Sequence, residues 1–497
     1  MNIKQTFAIV FFAVALPFFF YSCSKDDDEI VTTPTEEEEE EEEDPVVITE
    51  SVYTWIESEM RENYYWYSEI PASSSLNYKL GVPDFFDSLL SSKDGKHNDS
   101  SDYFYSYIES ISDVSASTKS ISQTDYSYGF EFQLYNMTDQ YNTPLGYSYA
   151  HILYVVPNSP ASEAGIKRGM WITYVNGKRM TGTSNDYYTL LGSGAIQITV
   201  ETFDAKKGYT NAQTINLASA RAIEDNPVHY HTIITDEKSG KKIGYLVYNH
   251  FTDSKTDEDN KYNKELLTLS KEFAGVDEFV LDLRYNGGGL ITCAQLLSTI
   301  LAPSSALNQT FCNMTFNDKQ SPRTYNLSYA KSLVSTGTNL NLSRLYVLVS
   351  DRTASASELV INALRPYMGD ANVILIGEQT EGKNVGSEPF ENTTYKWEMH
   401  PIVCQIYNSK GESDNYVNGF TPQYEVSEIA HRDKVLDFGN TDEIMLSTAI
   451  SIINGTYSAT KASTRSTTTQ LRRGKSSLER KATNGVEVDG IRQTANQ

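Results

Sequence analysis

Three textures of apolar spacing follow one another along the chain. Between Tyr53 and Ile70 the residues Trp55, Ile56, Met60, Tyr64, Tyr65 and Tyr67 recur at helical spacing, which predicts an amphipathic helix closed by Pro71. A second helical stretch follows from Pro83 to Leu90. From Tyr128 the period shortens to two. Gly129–Leu134, Ile152–Val156 and Trp171–Val175 read as strands, the last closed by the hairpin signal Asn176-Gly177. A turn into a short helix at 157–165 separates the second from the third. Beyond about Lys242 the apolar runs Ile243–Tyr248, Phe279–Leu283, Leu345–Val349 and Val373–Gly377 alternate with helical patterns at Asn263–Phe273, Ile291–Leu301, Ser355–Leu364 and Glu443–Asn454. That alternation predicts helices packed on a sheet, an α/β layer. After Gly455 the chain is rich in Ser, Thr, Lys and Arg, and disorder is expected.

The two ends change this picture. Lys4 precedes an apolar stretch, Phe7 to Phe20, that is shorter than the roughly 20 residues needed to span a bilayer but fits a signal sequence. Tyr21-Ser22-Cys23 resembles the lipobox of bacterial lipoproteins, which implies lipidation at Cys23. Aromatic residues at the other lipobox positions depart from the common pattern. The following Ser24-Lys25-Asp26-Asp27-Asp28-Glu29 is similar to the acidic signal that sends some lipoproteins to the outer face of the outer membrane. The net charge is −24, and residues 24–50 hold fourteen acidic side chains and one Lys. The acidity is therefore largely a solvated, self-repelling tether, including the run Glu36–Glu43. No basic stripe marks a nucleic-acid binder. Cys293, Cys312 and Cys404 lack metal-ligand spacing; one disulfide or three free thiols both remain open.

The segments Val156-Pro157-Asn158-Ser159-Pro160-Ala161-Ser162-Glu163-Ala164-Gly165-Ile166, Arg168-Gly169-Met170 and Val175-Asn176-Gly177 resemble a PDZ domain. That resemblance implies peptide binding by strand addition, with Tyr128, Gly129, Phe130, Glu131 and Phe132 as the carboxylate loop and docking strand.

Candidate chemistry sits in three segments. Ser355, in Thr353-Ala354-Ser355-Ala356-Ser357-Glu358, lies between an apolar strand and an apolar helix, where unpaired N–H groups can stabilise an oxyanion. Taken alone, Ser355 with Glu358 reads as a helix capping box before it reads as a nucleophile. Asp282-Leu283-Arg284-Tyr285-Asn286-Gly287-Gly288-Gly289 carries a strand into a glycine turn, suited to cradling an oxyanion but lacking the spacing of a dinucleotide or phosphate loop. Lys383, in Glu381-Gly382-Lys383-Asn384, follows a buried strand; to act as a base its amine must lose about 3 pKa units by desolvation. Alone it reads as a surface charge. His250, where a Ser-His arrangement would need a partner nearby, and His400, on another expected strand, are weaker catalytic candidates.

Together and in this order, these segments resemble the C-terminal-processing (tail-specific) serine peptidases, from about Tyr128 to Asn454 and including Gly419-Phe420-Thr421-Pro422. The resemblance implies Ser355 as nucleophile, Lys383 as general base, and Gly288, Ala356 and Gly287 around the oxyanion, with no metal or cofactor. Family members commonly carry Gln four residues after the lysine; here that position is Ser387, a candidate orienting residue. The expected architecture is multidomain α/β. It comprises a signal and lipid-anchor Cys (1–23), an acidic tether (24–50), a helical N-terminal unit (51–120) and a PDZ-like β-rich domain (121–215). An α/β protease core with its serine at a strand-to-helix turn (216–455) and a disordered tail (456–497) complete it. The expected function is an envelope-anchored endopeptidase. Its partners would be peptide or unfolded-protein substrates and a membrane reached through the lipid anchor. The alternative is a catalytically inactive peptide- or ligand-binding surface lipoprotein on the same fold. The sequence leaves the oligomeric state open.

Overall fold

The computed structural model describes residues 51–98, 101–111, 126–139, 141–253, 260–320, 324–458, 469–479 and 486–488. The signal segment, Cys23 and the acidic tether lie outside the described residues.

A six-stranded sheet organises the α/β core. Its order is Val228–Thr235, Lys242–Tyr248, Glu278–Asp282, Leu345–Val349, Val373–Gly377 and Tyr424–Glu425. Only the first pair is antiparallel. Both faces of the central strands are covered, which is why they read as unbroken apolar runs rather than as alternations. One face sends Leu246, Leu281, Val347 and Leu375 toward helices Lys261–Glu272, Ile291–Leu301 and Ala356–Met368. The other sends Tyr245, Val280, Leu348 and Ile376 toward Met445, Leu446 and Ala449 of helix Ile444–Ile453. Each fully buried aliphatic side chain contributes roughly 1.5–3 kcal/mol of burial energy.

The Asp282–Arg284 turn is held by buried charge. The Arg284 guanidinium meets Asp282 at 2.8 Å, Glu443 at 2.8 Å and Glu428 at 2.7 Å. Glu443 also caps helix Ile444–Ile453 by accepting the Leu446 N–H at 2.9 Å. Burial alone would raise the Glu428 carboxyl, but Arg168 and Arg284 hold it well below the usual range. Removing one member of such a cluster strands the remaining charges in a dry site.

The β-rich domain is a seven-stranded sheet built on Phe130–Asp139, Pro144–Val155, Trp171–Val175, Ile196–Asp204 and Gly208–Leu217, with the short Lys178–Arg179 paired to Trp171–Val175. Its seventh strand, Thr469–Ser476, comes from the far end of the chain and pairs antiparallel with Phe130–Asp139. A second strand from the same region, Val486–Glu487, runs parallel to Val385–Ser387 at the edge of a five-stranded sheet. The tail expected to be disordered is therefore ordered in these two stretches. Its composition carries no strand signal, and its structure comes from completing edges whose N–H and C=O groups need partners.

The N-terminal unit also differs from the all-helical expectation. Helix Val52–Asn63 is followed by the hairpin Lys96–Asn98/Ser101–Tyr103. Strand Tyr107–Ser110 then pairs with Trp397–His400 of the core. The unit is thus woven into the α/β core. Cys293, Cys312 and Cys404 are all buried, and none forms a disulfide among the described residues. No helix among the described residues is long and apolar enough to cross a membrane.

Candidate active site

Ser355 sits one residue before helix Ala356–Met368, at the end of the turn leaving strand Leu345–Val349. Its backbone is φ 60°, ψ −112°, and the residue is fully buried. Ser355 and Glu358 do form a capping box, but the Ser355 backbone is not the extended one usual at an N-cap; a non-glycine residue at φ +60° is strained and is retained where surrounding contacts over-determine it. A nucleophile on a sharp strand-to-helix turn has this conformation.

The turn is pinned to the glycine segment. Thr353 Oγ1 donates to the Leu283 carbonyl at 2.8 Å, Ser357 Oγ to the Asn286 carbonyl at 3.0 Å, and the Ala354 N–H to that same carbonyl at 3.2 Å. Asn286 is itself anchored through its Nδ2, which donates to the Tyr248 carbonyl at 2.8 Å. Gly288 has φ 116°, and a Cβ there would lie 2.9 Å from Ser355 Cβ and 3.3 Å from Ala356 N. Glycine is required at 288 because that backbone lies against the serine. The Gly288 N–H donates to Asn286 Oδ1 at 2.9 Å, so this proposed oxyanion donor is engaged within its own turn. Ala356, by contrast, is the first residue of a helix, where an N–H has no intrahelical acceptor.

Lys383 follows strand Val373–Gly377 and is 4 % exposed. Its amine lies 4.9 Å from the centre of the Tyr105 ring, so the N-terminal unit supplies a wall of the site. Burial lowers the amine pKa to about 8, against the opposing pull of Asp94, Glu381 and Glu358. Tyr105 donates to Glu381 Oε1 at 3.3 Å, and Lys96 meets the same carboxylate at 3.1 Å. Asp94 is buried and accepts from Tyr64 Oη at 2.9 Å and from the Tyr105 N–H at 2.9 Å. The loop is also fixed from behind. Gly382 has φ 99°, and a Cβ there would lie 2.5 Å from the Val417 carbonyl and 2.6 Å from Gly419 N.

The two segments meet at Glu358. Its Oε2 accepts the N–H of Ser355 and that of Lys383, each at 2.9 Å. Its Oε1 accepts from Thr380 Oγ1 at 2.6 Å and from the Gly382 N–H at 2.7 Å. Burial pushes this carboxyl up to about 7, although all four hydrogen bonds favour its charged form. From sequence Glu358 could be read only as a helix-capping partner, because its other contacts lie more than twenty residues away. Tyr105 and Asp94 were likewise not legible as site residues.

Among the other candidates, Ser387 is buried in strand Val385–Ser387, where its carbonyl accepts the Val488 N–H at 3.0 Å. His250 is buried beside the glycine turn, next to Phe251, which bridges to Gly289. His400 stacks on Tyr107 at 4.4 Å. In the β-rich domain, Tyr128 and Gly129 form the turn before strand Phe130–Asp139. The Tyr128 carbonyl accepts the Ala161 N–H and the Gly129 carbonyl accepts the Val156 N–H, each at 2.8 Å. Phe130, Glu131 and Phe132 open that strand and are buried.

Several known proteins are similar to this chain. The profile of peptidase family S41 matches residues 242–426, and that of the S41 N-terminal domain matches residues 51–107. A crystal structure from Bacteroides fragilis assigned to the S41 proteases is 36 % identical with TM-score 0.70, and the match covers 81 % of this chain and 98 % of that one. The carboxyl-terminal-processing protease of a Picosynechococcus species is 29 % identical over 48 % of this chain and 52 % of its own length. Carboxyl-terminal-processing peptidase 1 of Arabidopsis thaliana chloroplasts is 27 % identical over 48 % of this chain and 45 % of its own. The chain spans about half the length of the curated relatives it matches. On the strength of these matches, the chain belongs to peptidase family S41.

Proposed function

We propose that this protein is a serine endopeptidase of peptides or unfolded proteins, with Ser355 as nucleophile and Lys383 as general base. The observation that carries the reading is the Glu358 carboxylate, which fixes the strained Ser355 turn and the Lys383 loop from one buried point. Neutral Lys383 takes the Ser355 hydroxyl proton as Oγ attacks the scissile carbonyl carbon. The Ala356 N–H, at the positive end of its helix, stabilises the resulting oxyanion, with the Gly287–Gly288 backbone forming the facing wall. The protonated lysine then gives its proton to the leaving amine, and water resolves the acyl-enzyme with Lys383 again as base. A base with a pKa of about 8 suits this work near neutral pH. Ser387 is a candidate for orienting the amine, and Tyr105 supports it by walling the amine from water.

In this reading the β-rich domain is a PDZ module that docks extended substrate along Phe130–Asp139, and lipidated Cys23 anchors the enzyme at the outer membrane through the acidic tether. Hydrolysis of an unfolded reporter protein by the wild type, lost in both Ser355→Ala and Lys383→Ala, is the expected result. Retained hydrolysis in either variant would overturn the assignment.

A further inference from the structure

The strand Phe130–Asp139, at the edge where substrate would add, already has a partner. Residues 469–476 pair with it antiparallel, from Thr469 opposite Asp139 to Ser476 opposite Gln133. The pairing continues one residue further. The Phe132 N–H donates to Ser477 Oγ at 2.7 Å, and the Ser477 N–H donates to the Phe132 carbonyl at 3.0 Å. On the opposite side, Tyr187 of helix Ser184–Leu190 donates its hydroxyl to the Ser476 carbonyl at 3.0 Å. Ser476 and Ser477 are thus enclosed between strand and helix, at 1 % and 0 % exposure. Leu478 joins an apolar cluster with Leu153, Tyr154, Val156 and Ile223 of the β-rich domain and Tyr285 of the glycine turn.

The same segment reaches the nucleophile turn. Arg473 forms an ion pair with Asp351 and donates to Gln133 Oε1 at 3.1 Å, and Arg352 donates to that same oxygen. Asp351 and Arg352 lie only a few residues before Ser355.

We infer that residues 469–478 are a resident ligand of this groove, held in cis, and that a substrate must displace them to dock. The inference rests on the peptide-docking reading of the β-rich domain. A peptide adding to this edge needs the Phe132 N–H and carbonyl, and both are engaged. A tethered strand competes at an effective concentration on the order of millimolar, so the closed form dominates until a better strand arrives. The occupant also defines the class of ligand. It is an extended segment with a basic residue (Arg473) three positions ahead of two small polar residues (Ser476, Ser477) and an aliphatic one (Leu478).

The test measures binding of a fluorescent peptide of residues 469–479 to Ser355→Ala protein, in which hydrolysis is absent. A chain ending at Ser458 should bind it at least tenfold more tightly than the full chain, and the peptide carrying Arg473→Glu should bind the truncated chain at least fivefold less tightly than the parent peptide. Val488 packs in the main core, so truncation also opens that core. The full-length variant Ser477→Pro leaves Val488 in place while removing the N–H and hydroxyl offered to Phe132, and should bind the peptide at least fivefold more tightly than its parent. Equal binding by the parent and Ser477→Pro proteins would overturn the inference. Labelling of Ser355 by a small fluorophosphonate in the otherwise wild-type chain separates the two readings. Peptide exchange without labelling would sink the peptidase and keep the resident ligand, and labelling without exchange would do the reverse.

Discussion

The Lys383 backbone amide lies 2.9 Å from Glu358 Oε2, the oxygen that also accepts the Ser355 N–H. One carboxylate therefore sets the distance between the loop carrying the proposed base and the turn carrying the proposed nucleophile. Glu358→Ala leaves three backbone N–H groups and the Thr380 hydroxyl without this acceptor in a dry site. Each unsatisfied donor costs about 1–3 kcal/mol, so stability should fall by several kcal/mol in total. In Glu358→Gln, which retains one oxygen acceptor, kcat should fall more than KM changes. Steady-state kinetics and thermal melts read both effects; unchanged kcat in Glu358→Gln would remove Glu358 from the account.

The Lys383 amine titrates at about 8 rather than 10.5. As pH rises through that value the base loses its proton, so kcat/KM should climb and level off above it. The facing groups are Asp94, Glu381 and Glu358, with Lys96 paired to Glu381. Below pH 8 the fold must hold a charged amine in a dry site, a penalty of roughly 3 kcal/mol from the size of the shift. Lys383→Met should remove activity and yet stabilise the protein below pH 8. That gain should fade between pH 8 and 10.5, where the native amine is already neutral; denaturant melts across pH measure it.

Tyr105 belongs to the N-terminal unit and covers the amine. Tyr105→Ala admits water, so the lysine pKa should rise and the kcat/KM profile move about one unit toward alkaline pH. Tyr105→Leu, which keeps an apolar wall, should shift it less. A purely structural tyrosine would lower activity without moving the profile.

Gly288→Ala places a methyl group 2.9 Å from Ser355 Cβ at a φ of 116°. Activity should fall at least 100-fold, with a stability loss of about 1–3 kcal/mol from backbone strain. A variant with normal turnover would show that the glycine turn does not form the wall of the site.

Legibility in the sequence followed locality. Trp171–Val175, Leu345–Val349, Val373–Gly377 and Ile291–Leu301 have the bounds their apolar runs predict, because burial on both faces or a clear period wrote them into a few residues. The Ser355 and Lys383 segments were visible as motifs for the same reason. What stayed hidden was long-range. Arg284 finds Glu428 and Glu443 144 and 159 residues away, and Tyr105 reaches Lys383 from another part of the chain. Thr469–Ser476 has no strand pattern of its own and is a strand only because Phe130–Asp139 offers it an edge.

The central claim is that Lys383 activates Ser355, and the rate of covalent labelling by a fluorophosphonate, with the modified residue mapped by mass spectrometry, tests it most directly. The account predicts labelling at Ser355 with a rate that rises to half its plateau near pH 8, absent in Ser355→Ala and at least 100-fold slower in Lys383→Met. Labelling at another residue, or an unchanged rate in Lys383→Met, would contradict it.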